Sequence, residues 1–294
     1  MYKIVKKRRL SVNTVLLDIN AARAAKYSKP GQFVVVRLDE FSERIPLTIC
    51  DYDAKREIVT IVIQDIGLSS HKICSLDEGD SLTDFIGPLG QPSEFIYEDI
   101  AELRKKNIVF VAGGLGTAPV YPQVKWLNKN GIYSDVIIGA KTADLLIMED
   151  EIRSVANNVY ITTDDGSYGQ KGLVTDILKN LIEKDGKKYD LCIAIGPMIM
   201  MKFVALTTKL YNLNTVVSMN PIMVDGTGMC GCCRLIVDNK VKFACVDGPE
   251  FDAHLVDFDA AIKRQLIYKS EEGRALLKLE EGNTHSGGCA ADRR

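Results

Sequence analysis

The sequence predicts an α+β multidomain chain. It should hold an N-terminal antiparallel β-barrel, a parallel α/β nucleotide-binding domain and a small C-terminal domain built around cysteines. Three observations predict it. Short strand-like runs with Gly and Asp punctuation fill the chain up to about residue 95. From about residue 106, continuous apolar strands alternate with helical stretches. A knot of thiols then follows between Met223 and Cys245.

In the first region, Thr14–Asp18, Gln32–Leu38 and Glu57–Ile63 alternate or run apolar, the pattern of a small antiparallel barrel. The turn-rich Gly87-Pro-Leu-Gly-Gln-Pro is expected to close it. Asn107-Ile-Val-Phe-Val-Ala then reads as a buried strand, followed by Gly113-Gly-Leu-Gly-Thr-Ala-Pro and a helix through Trp126. Ser134–Gly139, Asn158–Thr163 and Tyr189–Ile195 repeat that strand, with helices between them. Strands alternating with helices imply a parallel sheet covered on both faces. Asp257–Leu279 reads as largely helical, and the polar, Gly-rich Glu280–Arg294 as a disordered tail. The expected domains are 1–97, 98–217 and 218–279, with the tail at 280–294.

With 294 residues and a formal net charge of −2, nothing in the charge balance suggests nucleic acid or a membrane surface. Apolar runs such as Ile108–Ala112 fall far short of the ~20 residues of a membrane span. The basic start, with Lys6-Lys-Arg-Arg, has no apolar signal core behind it and reads as a solvated strand end. The expected location is the cytoplasm, where eight cysteines argue for metal or redox use over disulfides. Cys50, Cys74 and Cys192 lie in apolar settings and read as packing residues, and Cys289 as a tail residue without a role. His71, His254 and His285 have no metal partner in the sequence pattern.

Three loops follow strands of the predicted sheet: Gly113–Pro119, Thr163-Asp-Asp-Gly-Ser-Tyr-Gly and Gly196-Pro-Met-Ile-Met. Ligands of open α/β sheets bind beyond the carboxyl ends of strands, and a helix N-terminus favours a pyrophosphate. In the barrel, Arg44-Ile-Pro-Leu-Thr-Ile and Gln64-Asp-Ile-Gly-Leu-Ser-Ser carry a guanidinium, hydroxyls and a glycine, groups that suit a diphosphate and a flat polar ring. Cys230, Cys233 and Cys245 stand at iron–sulfur spacing, with Asp225 five residues ahead of the first. Cys232 is the rival ligand to Asp225, but adjacent residues seldom both point at one small cluster. A zinc site of the same donors would explain the thiols and leave the other loops without an outlet.

Taken in order, these motifs resemble the ferredoxin–NADP reductase superfamily, in the subgroup that adds a C-terminal [2Fe–2S] domain. That subgroup includes electron-transfer subunits of dihydroorotate dehydrogenase and the small subunits of NADH-dependent reduced ferredoxin:NADP oxidoreductases. The chain is most similar to the latter. The resemblance implies FAD, NAD(H) and a [2Fe–2S] cluster as cofactors. It assigns Pro46, Leu47 and Thr48 to the flavin, with the Thr48 hydroxyl at its reactive edge. Arg44 stands one residue earlier than the superfamily's usual arginine. Val62, Ile63 and Gln64 match a strand that touches the flavin, and Gly67, Ser69 and Ser70 its diphosphate loop. Gly113, Gly114, Gly116 and Thr117 match the nicotinamide nucleotide loop, with further contacts from Asp165, Gly166 and Ser167 and from Gly196, Pro197 and Met200. Ile195 replaces the cysteine many reductases place before that Gly-Pro. The family register selects Asp225, Cys230, Cys233 and Cys245 as metal ligands, with Asp225 where dihydroorotate dehydrogenase relatives have a cysteine.

The implied function is an oxidoreductase subunit. It exchanges a hydride between NAD(H) and FAD and passes single electrons through the cluster to a larger subunit with its own flavin and [4Fe–4S] clusters. That partner would perform electron bifurcation involving ferredoxin and NADP(H). The alternatives are an electron-transfer subunit for dihydroorotate dehydrogenase or a related complex, and a non-enzymatic flavin- or metal-binding regulator.

Overall fold

The computed structural model describes residues 1–285. Seven strands form the first sheet: β1 (Tyr2–Ser11), β2 (Thr14–Asn20), β3 (Phe33–Arg37), β4 (Ile45–Asp53), β5 (Ile58–Gln64), β6 (Ser81–Leu82) and β7 (Asp84–Leu89). Their order is β6-β1-β2-β5-β4-β3-β7, antiparallel throughout. This is the expected barrel, nearly closed. Its interior holds Ile4, Leu17, Ile19, Val34, Val36, Ile49, Ile61 and Ile63, the inward positions of alternating strands. Helices α1 (Ala22–Tyr27) and α2 (Leu68–Cys74) pack against its strands.

Two details differ from the sequence reading. Gly87, Pro88 and Leu89 lie within β7 and the turn begins at Gly90, because β7 pairs with β3 as far as Phe33↔Leu89. The basic run Lys6–Arg9 is the middle of β1, not a strand end. It is held by long-range contacts: Lys7 Nζ donates to Leu76 O at 2.6 Å, and Arg8 forms an ion pair with Glu151 of the next domain.

After the short α3 (Ile100–Leu103), the second sheet contains β8 (Ile108–Gly113), β9 (Ser134–Ala140), β10 (Asn158–Thr163), β11 (Gln170–Lys171), β12 (Leu191–Ile195) and β13 (Asn214–Ser218). Alternate residues of β8 face opposite layers. Phe110 and Ala112 pack under α4 (Thr117–Lys129) and α5 (Glu149–Arg153); Val109 and Val111 pack under α6 (Val174–Glu183) and α7 (Met198–Leu210). A strand buried on both sides has to be apolar at every position, which is why β8 was legible.

The cysteine segment forms a hairpin, β14 (Arg234–Val237) and β15 (Lys240–Phe243), turned by Asp238 and Asn239, both at positive φ. The chain then adds β16 (Glu250–Asp252) antiparallel to β13, so the segment completes the nucleotide sheet: β11-β10-β9-β8-β12-β13-β16. The expected single helical stretch is two helices, α8 (Phe258–Gln265) and α9 (Lys269–His285). Helix α9 packs against α2 and runs past residue 279 into the segment expected to be a tail. Cys289 and the rest of that tail lie outside the described residues. No helix among the described residues is long and apolar enough to cross a membrane.

Candidate functional site

The parallel sheet defines where a ligand belongs. From β8 the chain steps outward to β9 and β10, then returns to the other side of β8 for β12 and β13. The order reverses between β8 and β12, and such a switch point leaves a crevice beyond the strands' carboxyl ends. Gly113–Thr117 and Gly196–Met200 are the two loops flanking it, and they touch. A Cβ on Gly116 would lie 2.0 Å from Ile195 O, and one on Gly196 would lie 3.1 Å from Gly113 Cα. Only glycine permits that approach. Thr117 Oγ1 donates to Gly114 O at 3.0 Å and braces the turn.

The third loop lies two strands away, roughly 10 Å at the usual strand spacing. There Asp165 Oδ1 accepts the Ser167 N–H at 2.9 Å and the Ser167 hydroxyl at 2.6 Å. These bonds, the hydroxyl first, hold its carboxyl below the usual range. Gly166 is exposed at φ 81° and turns the loop outward.

On the barrel, Pro46, Leu47 and Thr48 lie in β4, partly exposed and paired to Val35, Val34 and Phe33 of β3. Arg44 is exposed just ahead of β4, with no ion-pair partner among the described residues. Val62 packs in one cluster with Leu115, Ala118 and Cys50, joining β5 to the nucleotide loop. Ile63 points into the barrel core at 1% exposure, so only its backbone can meet a ligand. Gln64 ends β5, partly exposed. Gly67 opens α2 with clear space where a Cβ would stand. Ser70 Oγ accepts the Gly67 and Ile66 N–H groups at 3.0 and 3.1 Å. Ser69 Oγ donates to Glu43 Oε2 at 2.6 Å and must turn away to meet a diphosphate. The exposed guanidinium, open glycine and half-exposed Thr48 strand fit a flavin nucleotide.

The hairpin explains the cysteine spacing. Cys233 precedes β14 and Cys245 follows β15, so closing the hairpin brings the thiols together at 3.2 Å, both buried. Burial, then Cys233 beside it, pushes the Cys245 thiol up to about 12. Cys230 is exposed on the preceding loop. Asp225 Oδ1 and Oδ2 accept the Thr227 and Cys230 N–H groups, each at 3.0 Å, which holds its carboxyl low. Gly226, Gly228 and Gly231 all have positive φ. A Cβ on Gly226 would lie 2.9 Å from Leu89 Cδ1 and 3.0 Å from Val35 Cγ2, so the loop lies directly on the barrel. Among the described residues, no three His, Cys, Asp or Glu side chains converge on one metal ion. A two-iron cluster shares its ligands between two irons, so one preformed thiol pair and one open pair suit it. Cys232 lines a small pocket with Arg264, Ile267 and Tyr268 of the helical end.

Among the described residues, three further cysteines and two histidines make contacts away from these loops. Cys50, Cys74 and Cys192 are buried at 8% exposure or less. His71 Nδ1 lies 3.0 Å from Asp65 Oδ2, and His254 Nε2 lies 3.1 Å from Thr208 Oγ1. A cleft of about 680 Å³ opens between the barrel and α4, lined by Arg8, Asp51, Tyr52, Tyr121, Lys125 and Met148 among others. None of the flavin, nucleotide or metal candidates selected from sequence lines it. Sequence reasoning also missed Met148, left-handed at φ 56° and packed at Cys50, and the buried Ser93 and Gln123 bonded to the partly buried Glu250. No motif marks them; only the pairing of distant segments does.

Comparison with known proteins agrees with this geometry. The iron–sulfur cluster binding domain of dihydroorotate dehydrogenase B matches residues 220–257. An uncharacterized Clostridium beijerinckii protein "in adh 3'region" is 59% identical over 98% of each chain. A Thermotoga maritima homolog of the electron transfer subunit of dihydroorotate dehydrogenase B (NAD(+)) is 43% identical over 92% of each. A solved chain from a study of flavin-based electron bifurcation, the NADH-dependent reduced ferredoxin-NADP oxidoreductase, superposes with a TM-score of 0.87. It is 40% identical, over 95% of this chain and 98% of that one. With likeness running through barrel, nucleotide sheet and cysteine hairpin alike, the chain belongs to the family of dihydroorotate dehydrogenase B electron-transfer subunits and their homologues, flavin and iron–sulfur oxidoreductases of the ferredoxin–NADP reductase fold.

Proposed function

We propose that this chain exchanges a hydride between NAD(H) and FAD and passes single electrons through a [2Fe–2S] cluster to a larger subunit. One observation carries the reading. The nucleotide loop Gly114–Gly116 touches β5, the Pro46-Leu47-Thr48 strand lies next, then β3, and Gly226 of the cluster loop rests on β3. Neighbouring strands are ~5 Å apart, so the three candidate sites stand in the order in which electrons would pass.

Bound flavin supplies the conversion between two-electron and one-electron transfer. The chain's residues set the stage. Gly113, Gly114, Gly116 and Thr117 let backbone N–H groups approach a pyrophosphate at a helix N-terminus. Thr48 offers a hydroxyl on the half-exposed side of β4, the one candidate for direct contact at the reacting edge. Leu115, Ala118 and Val62 keep water from the junction of barrel and nucleotide loop. Asp225, Cys230, Cys233 and Cys245 are the donors for iron.

The partner in this reading carries its own flavin and [4Fe–4S] clusters and couples NAD(H) to ferredoxin and NADP(H) by bifurcation. The solved chain at 40% identity and Asp225 in place of a cysteine support it. The cytoplasm is the matching compartment, and all the described cysteines are free thiols. The match over 220–257 favours a second reading, a partner that oxidises dihydroorotate. Anaerobic NADH titration of the full chain tests the core claim by flavin bleaching and the reduced-cluster EPR signal. Failure of both overturns it. Pull-down of the large subunit, followed by assays with NADPH plus ferredoxin or with dihydroorotate, separates the two partners.

A further inference from the structure

Strand β16 carries Glu250 into the seam where all three parts of the chain meet. Glu250 Oε1 accepts Ser93 Oγ at 2.9 Å and Gln123 Nε2 at 2.8 Å. Ser93 belongs to the linker leaving the barrel, and Gln123 to the helix α4 that leaves the nucleotide loop. Both are fully buried. The backbone crowds the same group: a Cβ on Gly31 would lie 2.4 Å from Ser93 Oγ and 3.0 Å from Glu250 Oε1. Part of Glu250 reaches the surface, but its Oε1 is held between Ser93 and Gln123.

The charged neighbour is another acid, Glu94. The cations on the adjoining elements are committed elsewhere, Lys125 to Asp51 and Lys29 over the Tyr97 ring. The buried Gln123 Oε1 has no hydrogen-bond partner. A carboxylate can only accept, so it would leave that oxygen orphaned and bury a charge without a counter-ion, and both are costly.

We propose that Glu250 is held as the neutral acid and pairs with Gln123 at two points, fastening the strand that leaves the cluster hairpin to the helix that leaves the nucleotide loop. Gln123 Nε2–H donates to Oε1, and the acid O–H on Oε2 donates to Gln123 Oε1. Every polar atom of the pair is then satisfied. Burial pushes this carboxyl up to about 7, against the opposing pull of the Ser93 and Gln123 bonds. Glu250 and Gln123 are positioning residues: they touch no substrate, and the pairing stands whether or not the redox reading holds.

The sign of the pH effect follows. An unfolded glutamate titrates near ~4.3. A group raised above that value in the folded state stabilises fully below the unfolded value, and loses this contribution as pH rises through the folded value. The test uses the full chain, Glu250→Gln and Gln123→Met. Glu250→Gln keeps two-point pairing without a titrating group. We expect the melting temperature of the native chain to fall relative to Glu250→Gln as pH rises from about 5 to about 8. Parallel curves overturn the proposal. Infrared difference spectra should show a protonated-carboxyl C=O band below neutral pH that is lost in Glu250→Gln; a band unchanged in that variant also overturns it. Gln123→Met removes the partner, so the band should move to higher frequency. An unmoved band refutes the pairing even if Glu250→Gln folds poorly.

Discussion

Gly116→Ala puts the nucleotide crevice to a direct test. The added carbon would stand 2.0 Å from Ile195 O and 2.6 Å from Ile195 C. Ordinary contact starts at 3.4 Å, so the two loops that flank the switch point must part by about 1.4 Å. The obstacle is backbone, which cannot rotate aside as a side chain can. A displacement of about 1 Å at a binding site costs on the order of a hundredfold in rate. We therefore expect kcat/KM for NADH to fall roughly a hundredfold. Overpacking of this kind also costs about 1–3 kcal/mol of stability, so Tm should drop by several degrees while flavin and iron stay bound. Gly113→Ala is the control. Its Cβ would meet Met200 Sδ at 2.3 Å, but that is the end of a flexible side chain. Its loss should stay below about tenfold, since the methionine repacks and Pro197 Cδ, at 3.1 Å, has to give by only a few tenths of an ångström. The assay is steady-state NADH-dependent dye reduction, with flavin and iron measured on the same samples. If Gly116→Ala stays within a few-fold of the native chain, or Gly113→Ala is the worse of the two, the placement of the nucleotide is wrong.

Three further outcomes are expected. Protein purified anaerobically should carry about one FAD and two irons per chain; stoichiometric zinc without iron would defeat the cluster assignment. Asp225→Cys should keep the iron but lower the cluster potential and change its EPR spectrum, because thiolate donates more electron density than carboxylate. Cys232→Ser should leave both nearly unchanged, whereas serine at Cys230, Cys233 or Cys245 should disturb the cluster. Loss of the cluster in Cys232→Ser, with none in Asp225→Ala, would reverse the ligand assignment. The exposed Asp164 and the ionised Asp165, at the end of β10, should disfavour a 2′-phosphate, so NADH should outperform NADPH. Comparable kcat/KM for the two nucleotides would count against that role.

The sequence revealed elements whose composition is fixed by burial on both sides. Strand β8 is apolar throughout because two helical layers cover it, and the glycines after it are unavoidable where Gly116 meets Ile195. The cysteine spacing was readable for a similar reason: a tight hairpin has to bring Cys233 and Cys245 together. Elements set by distant partners were not readable. The middle of β1 is Lys-Lys-Arg-Arg, and only pairing with β2 and contacts to Leu76 and Glu151 make it a strand. The three residues of β16 carry no pattern of their own; they are a strand because the edge of β13 is free to pair. Glu250 carries no signal of its own, and the neighbours that make it unusual, Ser93 and Gln123, come from other parts of the chain.

The way β16 joins the sheet limits how this subunit can deliver electrons. The cysteine hairpin is tied at both ends. Its leading loop sits on Val35 and Leu89 of the barrel, and its trailing strand is hydrogen-bonded to β13. Gln91 N–H to Gly248 O at 2.6 Å adds a further stitch between barrel and hairpin. A carrier domain on a flexible tether can collect an electron at one place and swing to release it at another. Here there is no tether to swing on, and any such motion would break a sheet edge and expose apolar surface on two domains. Delivery must therefore take place at a fixed address. With the cluster held as proposed, an acceptor would approach the exposed side of the Cys230 loop, and its own shape and mobility would decide the rate of hand-over.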